Sequence, residues 1–321
     1  MRHALTKGTG GHWLPAAPAT GRLTGVGRVA DLAGAALAIV MLAGTAGAMI
    51  AEKREVDRES AAVPGSPGGP GVAETAGAET LIAGYLGATY TYPSDIHIVN
   101  PAEKTDLTVH HAGWDGKPFK HPIYYGVRIA RWAPGNRTGY MVDFTHAKTI
   151  TRPDEEVEIK GLINGATVPG KAKIGELFKH MEFSHGHNML TINGLLRLAN
   201  LTPRLSPYLG LGAGVALPHT EVQLANEPQR TYEYQYAGPV GQGLAGIEVP
   251  LAGRSLFFEY KFSFAGMRVP LSRMDTSNLF SDVYRQLTLW WTRVTPPGGE
   301  LSAGLLTHHV IGGAGVRVAS P

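Results

Sequence analysis

Apolar residues recur at every second position in eight stretches running from about residue 79 to the end of the chain. A period of two marks a β-strand with one apolar face. The connections between the stretches alternate strictly between short and long. Short ones fall near residues 133–138, 200–206 and 251–255, and long ones near 91–120, 151–184, 220–230 and 266–302. A soluble sandwich has no reason to put every long loop at one end. The pattern predicts an all-β fold: an eight-stranded antiparallel up-and-down transmembrane β-barrel with tight turns at one rim and long loops at the other.

Parity assigns the faces. In the third strand Tyr140, Val142 and Phe144 alternate with Met141, Asp143 and Thr145. Leu190, Ile192, Leu196 and Leu198 alternate with Thr191, Asn193 and Arg197 in the fourth strand, and Leu209, Leu211, Val215 and Leu217 alternate with Gly210, Gly212 and Gly214 in the fifth. In the seventh, Leu256, Phe258, Tyr260, Phe262 and Phe264 alternate with Glu259 and Lys261. The apolar sets should face outward and the others the lumen, where Glu259 and Lys261 read as a paired structural charge. The Gly-x-Gly-x-Gly run opens no helix, so it makes no phosphate cradle. Its glycines are expected to leave room for luminal side chains.

Upstream, Arg2, Lys7, Arg22 and Arg28 precede an apolar stretch over residues 32–50 that contains Ala46-Gly47-Ala48. Residues 1–48 therefore read as an N-terminal apolar helix, a secretory signal peptide with a transmembrane anchor as the alternative. Residues 49–78 read as a flexible Pro/Gly-rich linker, and 79–318 as the barrel. A charged content of 17% with 42 glycines suits a barrel with a crowded lumen. The absence of cysteine excludes a disulfide scaffold and a thiolate metal site. A net charge of +3 with no basic run among aromatics gives no footprint for nucleic acid.

The outward parity ends in a polar cluster. It continues through His146 and Lys148 in the third strand, Asn188 in the fourth, and His219 and Glu221 beyond the fifth. Neighbouring strands would bring these five together as a lipid-facing patch at the outer rim. Imidazole and carboxylate are ligands and bases, so His146, His219 and Glu221 are the candidate metal set and, with Asn188 as an orienting donor, the candidate catalytic set. Lys148 supplies a point charge for a phosphate. His185 and His187, two apart, are expected to share a luminal face, and His110 and His111 to be solvated in the first long loop. A competing luminal site comprises Asp143, Glu259 and Lys261, with Gln235 as a further candidate member. The last long loop, with Trp290 and Trp291, is expected to be an amphipathic membrane-surface element.

Several longer segments carry a family resemblance. They are Ala112-Gly113-Trp114-Asp115-Gly116-Lys117-Pro118-Phe119, Pro122-Ile123-Tyr124-Tyr125-Gly126-Val127-Arg128 and Asp143-Phe144-Thr145-His146-Ala147-Lys148. Pro207-Tyr208-Leu209-Gly210, Val215-Ala216-Leu217-Pro218-His219, Tyr234-Gln235 with Gly238-Pro239, and Glu259-Tyr260-Lys261 follow in order. With these the chain resembles the lipid A oxidase family of outer-membrane barrels over roughly residues 80–318. The resemblance implies a monomer in the outer membrane of a Gram-negative bacterium, acting on lipid A, the anchor of lipopolysaccharide. It implies oxidation of the proximal glucosamine to 2-aminogluconate, with dioxygen as co-substrate and a divalent metal. Tyr234 and Gln235 lie in matched segments and join Lys148 as substrate-binding candidates. Two other classes stand beside it. A non-catalytic OmpA-type barrel explains the architecture and leaves the histidines unexplained. A lipid A deacylase would need Ser two positions after a His, which no His here has.

Overall fold

The computed structural model describes residues 77–202, 204–276, 278–294 and 296–319. Eight strands run β1 Glu79–Thr91, β2 Tyr125–Trp132, β3 Thr138–Thr151, β4 Phe178–Arg197, β5 Ser206–Ala216, β6 Gly238–Leu251, β7 Arg254–Pro270 and β8 Glu300–Ala319. Each pairs antiparallel with the next, and β8 pairs back onto β1 from Glu79↔Ala319 to Thr91↔Thr307. The ring is the eight-stranded up-and-down one expected, and closure leaves it no free edge. The apolar stretch 32–50 and the linker up to residue 76 lie outside the described residues. Among the described residues no helix is long and apolar enough to cross a membrane, which says nothing of strands.

Alternation along the strands sorts the side chains as expected. Tyr140, Val142, Ile192, Leu211 and Phe258 are exposed on the outer wall, while Asp143, Asn193, Glu259 and Lys261 are closed to solvent inside. Glycine makes room for the interior at specific points. A Cβ on Gly126 would collide with the Tyr85 ring, and one on Gly212 with the Asn193 amide.

The tight turns, β2–β3, β4–β5 and β6–β7, lie at the rim where β1 begins and β8 ends. At the other rim the long connections do not remain loops. Strand Ser94–Asn100 extends the ring by pairing with β8, then pairs with Thr105–Ala112, which pairs with Glu156–Ile163. A hairpin of His219–Leu224 and Thr231–Tyr234 adds to the upper end of β4. Ile96, Ile98, Leu107, Val109, Ile159 and Leu301 form an apolar plug over the lumen. The expectation that His110 and His111 are solvated in a loop is corrected in part: both lie on a strand, and His111 is exposed while His110 is half-buried. The long connections carry their own alternating apolar residues, and structureless connections of this length are uncommon in compact folds. The Nδ1 of His110 lies 3.1 Å from Asp95.

Below the plug, the lumen is filled by one charge network. Arg128 on β2 grips Glu259 on β7 with two parallel bonds of 2.8 and 2.9 Å, and its Nε donates to Asp143 on β3 at 3.1 Å. Lys261 meets the other oxygen of Asp143 at 2.5 Å and donates to Thr145 at 3.0 Å. Tyr208 donates to Glu259 at 2.7 Å. Two cations answer two carboxylates with no solvent between them. Removing one partner from such a set strands a buried charge and costs about 3–5 kcal/mol. Arg128→Met should therefore lower urea resistance of the detergent-refolded barrel by about that much, and Arg128→Met with Glu259→Leu should recover a large part of it. Wild-type urea resistance in Arg128→Met would show that the network is dispensable.

Candidate functional site

The outward parity of β3 continues past Phe144 to His146 and Lys148. His146 stands directly opposite Asn188 on β4, and its Nδ1 lies 2.8 Å from the Asn188 Oδ1. The Asn188 amide nitrogen donates to the Leu217 carbonyl at 3.1 Å, so Oδ1 is the acceptor. His146 then carries its proton on Nδ1. Its Nε2 is left as a buried lone pair with no partner. Tyr125 of β2 lies flat on the ring, with centroids 4.7 Å apart at 18°.

After Ala216 the chain leaves the ring. Leu217 N–H bonds the Asn188 carbonyl at 2.8 Å, and strand His219–Leu224 follows Pro218. Glu221 stands opposite both Glu182 of β4 and Tyr232, and His219 opposite Tyr234. Val222 and Met181 point to the core, so His219 and Glu221 take the outer face with His146. The His219 ring packs edge-on against Tyr232 at 4.4 Å and Tyr234 at 4.7 Å, and sits 5.1 Å from His185. Among the described residues neither of its nitrogens has a partner. Burial, and then the neighbouring His185, push its pKa down to about 3, so the ring is neutral. Burial pushes the Glu221 carboxyl up, but His185, His180 and Arg230 outweigh it, and its pKa is lowered.

Six residues named from the sequence thus share one patch: His146, Lys148, Asn188, His219, Glu221 and Tyr234. The patch is not open at the rim as expected. His146 is 3%, Lys148 4% and His219 1% exposed. The hairpin contributes to this roof, and so does the first long connection, whose Lys120 carbonyl accepts the Lys148 ammonium. Gln235 is a further correction. It faces the core side, donating to Glu233 at 2.8 Å and to the Pro270 carbonyl at 2.7 Å, because alternation puts it opposite Tyr234. The metal set is corrected as well. His146, His219 and Glu221 do not bring three ligand atoms within common reach; among the described residues His180, Glu182 and Glu221 do, all within 4.8 Å. Glu259 and Lys261 do not pair with each other as expected: Lys261 is bound to Asp143, and Glu259 to Arg128 and Tyr208, so all three luminal candidates are already engaged.

His185 was misplaced by parity. Between Phe183 and His187 the β4 register against β3 shifts, and Gly186 there takes φ of +142°. This bulge sends His187 inward beside Phe183 and His185 outward, where its Nδ1 is 3.6 Å from Glu221. A glycine between two histidines in a strand is the signal that marks such a break. His180, Glu182, Arg230 and Tyr232 complete the outer cluster and were not singled out from sequence.

The helix Leu279–Thr292 borders this hairpin, started by Asn278, whose side chain accepts the N–H groups of Phe280 and Ser281. Its polar side faces the protein: Asp282 accepts Tyr234 N–H at 3.0 Å and Gln286 accepts Tyr236 N–H at 2.9 Å. Its apolar side faces out, with Phe280 84%, Tyr284 73%, Trp290 75% and Trp291 81% exposed. The element expected around Trp290 and Trp291 is therefore a helix of inverted polarity.

No family model matches the chain, and no curated protein matches it. Among solved structures, the outer membrane protease OmpT from Escherichia coli aligns over 78% of this chain and 98% of its own, at 10% identity and a TM-score of 0.32. At that level of likeness the fold rests on the closed ring and its registers, and the chemistry on the outer-face patch.

The tautomer of His146 is directly measurable. In histidine-labelled protein, nitrogen NMR should show His146 protonated at Nδ1 and bare at Nε2, and Asn188→Leu should abolish that preference. A proton on Nε2 in the wild-type protein would contradict the arrangement.

Proposed function

We propose that the protein resides in the outer membrane of a Gram-negative bacterium and oxidises the proximal glucosamine of lipid A to 2-aminogluconate. The observation that carries this reading is a convergence. Separate segments of the resemblance meet at one outer-face patch: Tyr125 on His146, and Tyr234 on His219. A closed ring with an apolar outer wall supports the membrane setting. So does the inverted helix, whose aromatic face has a solvent only in lipid. An amphiphile held by its chains in the outer leaflet would reach such a patch laterally, with the roof over Lys148 drawn aside.

The reaction needs a free anomeric hydroxyl on the sugar. Its proton and the C1 hydrogen leave with two electrons for dioxygen, giving a lactone and hydrogen peroxide, and water opens the lactone to the acid. The product gains one oxygen atom. In this reading His146 Nε2 accepts the hydroxyl proton, while Asn188 and Tyr125 fix the ring in its tautomer and plane. Lys148 holds a phosphate of the substrate as a point charge. The outer-face donors also fit a divalent metal. His180, Glu182 and Glu221 bring three donor atoms within 4.8 Å of one another, with His185 beside Glu221. Such a metal would supply Lewis acidity and a binding site for dioxygen.

Mass spectrometry of lipid A from cells with and without the protein tests this reading. A gain of one oxygen is expected, and His146→Ala should cut it by about 100-fold or more while the barrel still folds. Unchanged lipid A would leave the structural OmpA-type reading, which the saturated lumen suits, and loss of an acyl chain would point to deacylation. Full activity in His146→Ala with loss in Glu259→Gln would move the chemistry into the lumen.

The membrane setting has its own test. Lipids brominated along their chains should quench fluorescence from Trp290 and Trp291 in reconstituted vesicles, read as the signal lost in a Trp290→Phe, Trp291→Phe variant. Quenching only by a water-soluble quencher would put the helix in water.

A further inference from the structure

We propose that His180, Glu182 and Glu221, with His185 as a fourth donor, form a binding site for one divalent transition-metal ion on the outer face where β4 meets the hairpin. This deepens the oxidase reading by naming the metal's ligands, but it stands on donor geometry alone. His180 and Glu182 lie two apart on β4, so both side chains share a face. Glu221 is the register partner of Glu182 across the strand pair. The His180 Nδ1 is 3.3 Å from Glu182 and 3.4 Å from Glu221. The Gly186 bulge delivers His185 Nδ1 to 3.6 Å from the second Glu221 oxygen.

Two further observations point to a cation. Glu182 and Glu221 face each other directly, a like-charge pairing that destabilises a sheet unless something positive lies between. Glu221 has Arg230 at 2.9 Å, whereas among the described residues no lysine or arginine nitrogen lies within 4 Å of the Glu182 carboxylate, only the His180 ring. Beside the carboxylates, His219 is buried with both nitrogens unpartnered, and the Nε2 of His146 is unpartnered as well. Buried polar atoms left without partners are rare in native proteins, and each costs about 1–3 kcal/mol. An ion carrying bound water would supply partners to this wall of imidazoles.

The donor set selects the class of ion. Mixed imidazole nitrogen and carboxylate oxygen, with no thiolate, suits Fe(II), Mn(II), Co(II) or Zn(II) rather than Ca(II) or Cu(I). Arg230 is the group the ion must displace. It has a second seat, since Nη2 already lies 3.2 and 3.4 Å from the two oxygens of Asp275. The ion would release Arg230 from Glu221 to Asp275. The His180 side chain is 40% and that of Glu182 20% exposed, so the site is reachable without unfolding the hairpin.

Full-length protein, refolded in detergent and stripped with chelator, should be titrated with Co(II) and followed by its visible absorption. One equivalent should bind and give ligand-field bands, and electron spin-echo modulation should show coupling to histidine nitrogen. Glu182→Gln should weaken binding about tenfold or more, as should His180→Ala. Arg230→Gln should tighten it by removing the competing cation. Among the described residues the Glu182 side chain bonds only His180, so its variant tests the site without dismantling the hairpin, and heat-modifiable migration verifies the barrel. Absence of stoichiometric binding, or wild-type affinity in both Glu182→Gln and His180→Ala, overturns the site. Metal bound at these residues with lipid A unchanged overturns the oxidase reading and leaves the site standing. Undiminished oxidation and Co(II) binding in Glu182→Gln, His180→Ala does the reverse.

Discussion

Arg128 joins carboxylates from two strands that do not touch each other, and the interior of the ring is organised around that contact. An outer wall committed to apolar side chains sends every strand's polar residues inward. In a ring this narrow those residues lose their water, so their charges must cancel among themselves. Arg128 spans from β2 to Glu259 on β7 while also meeting Asp143 on β3, and Lys261 closes the set. A void of about 20 Å³ lies beside Arg128 and Tyr208. A lumen so filled is a structural strut, and any chemistry on a large substrate has to occur elsewhere.

The ring was legible because its two signals are local and exclusive. A period of two assigns the faces, and alternating connection lengths assign the rims. Tyr140, Val142 and Phe144 against Asp143 and Thr145 needed no knowledge of neighbouring strands. Arg128 was not legible, because its partner Glu259 is 131 positions away and parity alone does not say which luminal charges meet. The apolar plug at the upper rim failed for the same reason. The alternation of Ile96 and Ile98 is visible in the chain, but the pairing of Ile98 with Leu301 that gives it a core to join is not.

The site shows the same division at finer grain. His146 and Asn188 were brought together correctly because no irregularity intervenes between them and the regular pairs Phe144↔Leu190 and Val142↔Ile192. Three residues beyond His146's partner, parity failed. The Gly186 bulge adds residues to β4 alone, so a count of two from His187 to His185 crosses from core to outer face. Burial was misjudged for a different reason. Strand parity gives a direction but not what lies above it, and the roof over Lys148 comes from Lys120, in a connection read as a loop.

The helix Leu279–Thr292 shows why an element of inverted polarity belongs beside this patch. Strand Thr231–Tyr234 has a full β-partner on one side; its other edge meets a single bridge at Tyr232↔Asp275, and beyond it would present bare backbone groups. Asp282 and Gln286 take the N–H groups of Tyr234 and Tyr236, and Gln286 also donates to the Tyr234 carbonyl. The helix therefore spends its polar side on the edge that carries the face of His219. Its remaining side holds Phe280, Tyr284, Leu287, Trp290 and Trp291, a surface that is unfavourable in water and favourable among acyl chains. On the proposed reading, lipid contact on one face and hairpin support on the other would be properties of one element. The hairpin that holds His219 and Glu221 against β4 would then be braced on the side where an amphiphilic substrate is held.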